Sequence, residues 1–209
     1  MLVAERIVVA SSLVWAAALL LWQLLAAWGG GRKDYSARAG SPSRGVLYNF
    51  AAAMSPVRKE AARFHPFKFA VGMVMHAGVA FAIVKTLVIL VRPETPPVTP
   101  IPLGGFFGIA AAAASFLFLR RFFSPNLRPI SNFDDYFAAF IVAIYLATAS
   151  LQDFGVVSAG VFLLVGAVTA FYIPLGKLRH VLFCPVARLD LGRRLGYRGT
   201  FPATRGAKK

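Results

Sequence analysis

The sequence predicts an all-α membrane protein, a bundle of about five transmembrane helices with its N-terminus outside and its C-terminus inside. Three observations predict it. Hydrophobic residues make up 58% of the 209-residue chain and charged residues only 15%, with a mean hydropathy of +0.66, where a soluble domain carries about 25% charge. The apolar residues fall in unbroken runs near the roughly 20 residues that a bilayer demands of a helix, without the polar face that a soluble helix keeps. The basic residues sit in the connections between those runs.

The first run, Ile7 to Trp28, is longer than the apolar region of a signal peptide and reads as an uncleaved first helix. A polar stretch continues to about Phe64, holding Arg32, Lys33, Arg38, Arg44, Arg58, Lys59 and Arg63. Its second half sets Leu47, Phe50 and Met54 among Arg58, Lys59 and Glu60, the pattern of a helix lying on the membrane surface. Pro66 to Val91 is the second span, with proline suited to a helix start. Arg92 to Pro102 is a proline-rich connector that cannot continue a helix. Leu103 to Leu119 is the third span, short and rich in the Ala and Gly that permit close packing. The fourth runs from about Asp135 to Leu151 and ends in a tight turn at Gln152-Asp153-Phe154-Gly155. Val156 to about Phe183 is the fifth, interrupted by Pro174 and Gly176 near its end. Residues 1–190 form the membrane domain and 191–209 a basic tail.

Lysine and arginine counts orient the bundle. The first loop, Lys68, the loop after the third span and the tail from Lys177 hold 20 of the 23 basic residues, and five spans put all of them on one side. Arg6, Lys85 and Arg92 lie towards the other. The net charge of +15 is thereby a matter of topology, and nucleic acid is not an expected partner. The single cysteine, Cys184, leaves this chain without an internal disulfide or a cysteine-ligated iron–sulfur cluster. Gly-x-Ser-x-Gly, His-Glu-x-x-His and phosphate-cradling glycine motifs do not occur.

Three histidines, His65, His76 and His180, all sit in or beside spans. An ionisable residue within a span is costly and usually functional, and neutral imidazole is the usual axial ligand of haem iron. His76 lies about 15 Å into the second helix, His65 near the interface, and His180 at the inner end of the fifth. Small neighbours, Gly72 and Ala80 beside His76 and Gly176 beside His180, leave room for a flat macrocycle. By depth alone His180 matches His65 slightly better than His76, and both pairings stay open on this ground. Lys85 has two readings: a lysine reaching the headgroups, or a donor to a quinone carbonyl. Asp134, Asp135, Arg120 and Arg121 read as loop caps and interface anchors, Asp135 standing well for an N-terminal helix charge.

The run Pro174-Leu-Gly-Lys-Leu-Arg-His180-Val-Leu-Phe-Cys-Pro185 resembles the end of the last helix in the gamma subunit of respiratory nitrate reductase. The wider family includes membrane subunits of heterodisulfide-reductase-like and dissimilatory sulfite-reductase-associated complexes. Leu127-Arg-Pro-Ile-Ser-Asn-Phe-Asp-Asp135 is similar to the Arg-x-x-Ser/Thr-x-x-x-Asp stretch before that family's fourth helix, and Met75-His76-Ala-Gly78 to its ligand-bearing segment. The resemblance extends over residues 1 to 190. It implies that His76 and His180 are the axial ligands of a haem near the inner face, with His65 in reserve. Two-haem members carry further histidines where this chain has Lys85-Thr86 and the Phe162 neighbourhood, so one b-type haem is expected. The implied function is a membrane cytochrome b subunit in the bacterial inner membrane. It would pass electrons between quinone, as substrate, and iron–sulfur and catalytic subunits on the inner face. The alternative is a haem-free membrane anchor of such a complex.

Overall fold

A computed structural model describes residues 2–30, 40–58, 60–92 and 101–195. Arg32, Lys33, Arg38 and Lys59 of the first loop, most of the proline-rich connector, and the tail from Gly196, with Tyr197, Arg198, Phe201 and Arg205, lie outside them. Among the described residues every regular element is helical. The α-helices are α1 (Leu2–Gly30), α2 (Pro42–Phe50), α3 (Glu60–Phe64), α4 (Pro66–Val91), α5 (Ile101–Phe123), α6 (Phe133–Asp153), α7 (Ala159–Tyr172) and α8 (His180–Leu195). Four of them, α1, α4, α5 and α6, are long and apolar enough to cross a membrane, and α7 with the segment Lys177–Arg194 forms a fifth, broken candidate. The protein is a multi-pass helical membrane protein.

The break is sharper than the expected interruption of one long fifth span. Ser158 accepts a hydrogen bond from the Val161 N–H and starts α7 at Ala159. Fourteen residues later the helix stops, because Pro174 has no N–H to continue the ladder and the Leu175 and Gly176 N–H groups turn back to the Tyr172 carbonyl. α7 therefore rises only about 21 Å, against a hydrocarbon thickness of about 30 Å. Beyond the break, α8 runs on to Leu195 with Gly192 inside it, so the start of the expected tail is helical.

Contacts divide the chain into two units, Met1–Trp22 with Ala70–Arg179, and Gln23–Phe69 with His180–Lys209. The first is held by α5 and α6, whose facing sides are mostly alanine: Ala110, Ala111 and Ala114 meet Ala143 and Ala149, all buried. Lipid offers helices no hydrophobic drive to associate, so close backbone approach and interhelical hydrogen bonds must supply it. Both are present. A Cβ on Gly78 of α4 would collide with the Ala110 side chain, and Ser150 of α6 donates to the Gly104 carbonyl of α5 at 2.9 Å. Phe107, Leu146, Phe162 and Leu163 fill the remaining volume and are fully buried. α1 joins through Val9 against Leu163 and Ala167, a Trp15–Phe171 stack with centroids 5.4 Å apart, and Arg6, whose Nε donates to the Leu90 carbonyl at 2.9 Å.

In the second unit α2 lies against α8. A Cβ on Gly192 would lie 2.7 Å from the Val46 Cα, so glycine permits a backbone approach that no other residue would. Arg188 of α8 donates to the Asn49 carbonyl at 2.8 Å, satisfying one of the orphan acceptors at the end of α2, and Asn49 donates to the Gly45 carbonyl at 3.0 Å.

Candidate functional site

α4 carries two chemically different faces. Its buried positions are Gly78, Ala82, Lys85 and Thr86, spaced as one side of an α-helix. His76 precedes Lys85 by nine residues, about two and a half turns at roughly 100° each residue, and so stands on the opposite side. His76 is exposed. Its Nδ1 lies 2.7 Å from the Gly72 carbonyl oxygen, the kind of hydrogen bond that orients metal-binding imidazoles. A Cβ on Gly72 would meet nothing within 4 Å, as on an outward helix face.

The other histidines belong to the second unit. His180 is the first residue of α8 and is exposed, and His65 is exposed between α3 and α4, its carbonyl accepting from the Phe69 N–H at 3.1 Å. His76 and His180 thus fall in different units. Gly176 does not leave open space beside His180: a Cβ there would collide with the Tyr172 ring and Asp134. Its smallness serves the hydrogen bond from the Tyr172 hydroxyl to the Asp134 carboxylate. Among the described residues no group of three or more His, Cys, Asp or Glu forms a metal-type cluster. A bis-histidine porphyrin would need only two imidazoles and no such group.

Lys85 does not reach for the headgroups. Its ammonium is buried, 2.6 Å from Asp153 Oδ1 and 2.8 Å from the Ala149 carbonyl. It lies 5.1 Å from the centroid of the Phe107 ring and 5.0 Å from that of Phe162, whose negative faces attract a cation. One helical position on, the Thr86 and Tyr145 hydroxyls meet at 2.6 Å, and Tyr145 stacks on Phe162 at 5.5 Å. Asp153 Oδ2 is buried with no hydrogen-bond partner, as is Glu5 Oε2; the other carboxylate oxygen of Glu5, Oε1, faces Gly160 at the start of α7. In the sequence Asp153 stands out only as part of the turn after α6. The signal that finds it is charge accounting: a lysine inside an apolar run needs an anion, and the chain has only eight acids.

The aspartates in the first turn of α6 have structural work. Asp135 forms a capping box with Asn132 and ion pairs with Arg121 at 2.8 Å and Lys177 at 2.6 Å, while Ser131 accepts from Arg121 at 3.1 Å and donates to the Leu127 carbonyl at 2.7 Å. The Ser131-to-Asp135 spacing is what ties the end of α5, the start of α6 and the segment after α7 together. Cys184 is exposed.

Fold and site define a multi-pass helical membrane protein with a charge-paired core and an outward histidine on a spanning helix. Comparison with known protein families, with curated proteins and with solved structures finds no match.

Proposed function

We propose that this chain is a membrane cytochrome b, a subunit of a respiratory oxidoreductase complex in the bacterial inner membrane. His76 and His180 would hold one b-type haem, with His65 in reserve, and electrons would pass between quinone and iron–sulfur or catalytic subunits on the inner face. The observation that carries the reading is His76: a histidine inside a 26-residue apolar helix, its Nδ1 on the Gly72 carbonyl. Such a residue is expensive in lipid and is commonly functional, and a ring nitrogen held by a backbone carbonyl is the usual support of a metal-binding imidazole. A bound haem would supply one-electron transfer, its potential tuned by axial ligation and burial. The 20-to-3 division of basic residues supports an inside C-terminus.

Two observations favour a second reading, a haem-free anchor of the same kind of complex. His76 is turned away from the alanine-rich core, and the Lys85 charge is already matched by Asp153, which removes the free ammonium that a quinone contact would use. A visible spectrum of the purified chain after dithionite reduction separates the two. A sharp reduced band, with one iron porphyrin per chain by pyridine haemochrome assay, supports the cytochrome. A featureless spectrum of a folded chain expressed with ample haem leaves the anchor.

A further inference from the structure

The α2–α8 pair holds an apolar groove that neither reading of the function uses. Its walls are Pro42, Val46, Leu47 and Phe50 from α2 and Leu189 from α8, and its two polar liners are Ser43 and Arg193. The groove is preformed: Gly192 lets the two backbones approach closely, and the Arg188 bond to the Asn49 carbonyl fastens the end of α2. Leu47 is 68% exposed and Phe50 43%, an arrangement that water would penalise at about 25 cal/mol per Å² of apolar surface.

Two features on the same unit say what covers it. The unit includes the end of α1 from Gln23 and the start of α4 up to Phe69. Two spanning helices therefore tether it at the boundary between hydrocarbon and headgroups. It is also strongly cationic: among its described side chains Arg44, Arg58, Arg63, Lys68, Arg188 and Arg193 face one acid, Asp190, which is engaged by Arg194 at 3.0 Å. Arg193 has no ion pair among the described residues. An apolar channel with one unmatched guanidinium, held at the membrane surface, has the chemistry of an acyl chain ending in a phosphate.

We infer that this groove is a binding site for an anionic phospholipid, with one acyl chain along Val46, Leu47, Phe50 and Leu189 and the phosphate on Arg193. An acidic amphipathic segment of a partner protein is the competing occupant. Charge and tether favour lipid, because every copy of the unit is held within reach of headgroups whatever partner is present.

The test is native mass spectrometry of the full chain released from detergent, titrated with phosphatidylglycerol or with phosphatidylcholine. Phosphatidylglycerol should be retained preferentially, and Arg193→Ala should weaken that retention about fivefold, the change expected for one basic residue at an anionic surface, while leaving phosphatidylcholine unchanged. Arg194→Ala, which removes an arginine already paired with Asp190, should have less effect. Leu47→Gln should reduce both lipids by spoiling the wall. Equal retention of the two lipids by the wild-type chain, or no effect of Arg193→Ala, would overturn the site. So would loss of a co-purified protein subunit in Arg193→Ala with lipid retention unaltered, which would assign the groove to a protein. None of these readouts depends on haem.

Discussion

The Lys85 ammonium and the Asp153 carboxylate meet at 2.6 Å with both side chains sealed inside the bundle, 6% and 1% exposed. One comes from α4 and the other from the last residue of α6, and the rings above the lysine belong to α5 and α7. A single ion pair therefore touches all four helices of the core. Removing two charges from water is costly, and their mutual attraction roughly repays it only while both are present.

Asp153→Ala should destabilise the chain by about 3–5 kcal/mol, because it strands a buried ammonium. The double variant Lys85→Met with Asp153→Leu should recover most of that loss, since apolar replacement of a whole buried pair is often neutral. Thermal unfolding in detergent, followed by circular dichroism, measures both. Equal damage in the single and double variants would show that the pair does not act as a unit.

Gly78→Leu should cost about 1–3 kcal/mol through overpacking. Its Cβ would run into the Ala110 side chain and approach Leu146 at 3.3 Å. Gly72→Ala, on the open side of the same helix, should be silent or mildly stabilising, because alanine is the better helix former. Melting temperatures of the two variants supply the comparison, and similar shifts would refute the placement of Gly78 at the α4–α5 contact.

Reporter fusions address the topology. A fusion at residue 97 should read outside, and fusions at residues 45 and 200 inside. The short α7 makes the site at 200 the informative one. Four spans with α7 re-entrant would return the C-terminus to the side of the N-terminus, so residue 200 outside with residue 45 inside would remove the fifth crossing.

Histidine variants address the ligands. His76→Ala and His180→Ala should each abolish haem absorbance in the purified chain, and His65→Ala should largely spare it. Because His76 is exposed and on the side of α4 opposite Lys85, its loss should leave the stability of the haem-free chain within about 1 kcal/mol of the parent, as expected of a surface substitution. Haem lost in His65→Ala but kept in His76→Ala would exchange their roles.

Much of this architecture was legible in the amino-acid sequence. The second span runs from Pro66 to Val91 as expected, and the first, third and fourth differ by a few residues at each end, because an apolar run long enough to cross lipid has no alternative to helix. Asp135 was visible as a helix-start charge, since capping is local chemistry over three residues. The end of the fifth span was not legible. Pro174 and Gly176 mark an irregularity, but whether a proline kinks a helix or ends it depends on what receives the freed backbone groups. Here the Tyr172 carbonyl receives them, and the Tyr172–Asp134 hydrogen bond holds that residue in place.

Composition and run length by themselves determined the solvent, the secondary structure and the number of candidate spans, because burial of backbone polar groups in hydrocarbon depends on helix formation and on little else. Which side of α4 faces the core was beyond them. In a nearly uniform apolar helix the side chains carry no strong polar stripe to orient it, and Lys85 read as a lysine reaching the headgroups or as a donor to a quinone carbonyl. Tertiary structure decided for the Lys85 side. Asp153, 68 residues away, supplies the counter-charge, Phe107 and Phe162 supply the ring faces, and Gly78 on the same stripe supplies the close approach to Ala110. That set of partners comes together only when α4, α5, α6 and α7 are packed, and it leaves His76 on the outward face.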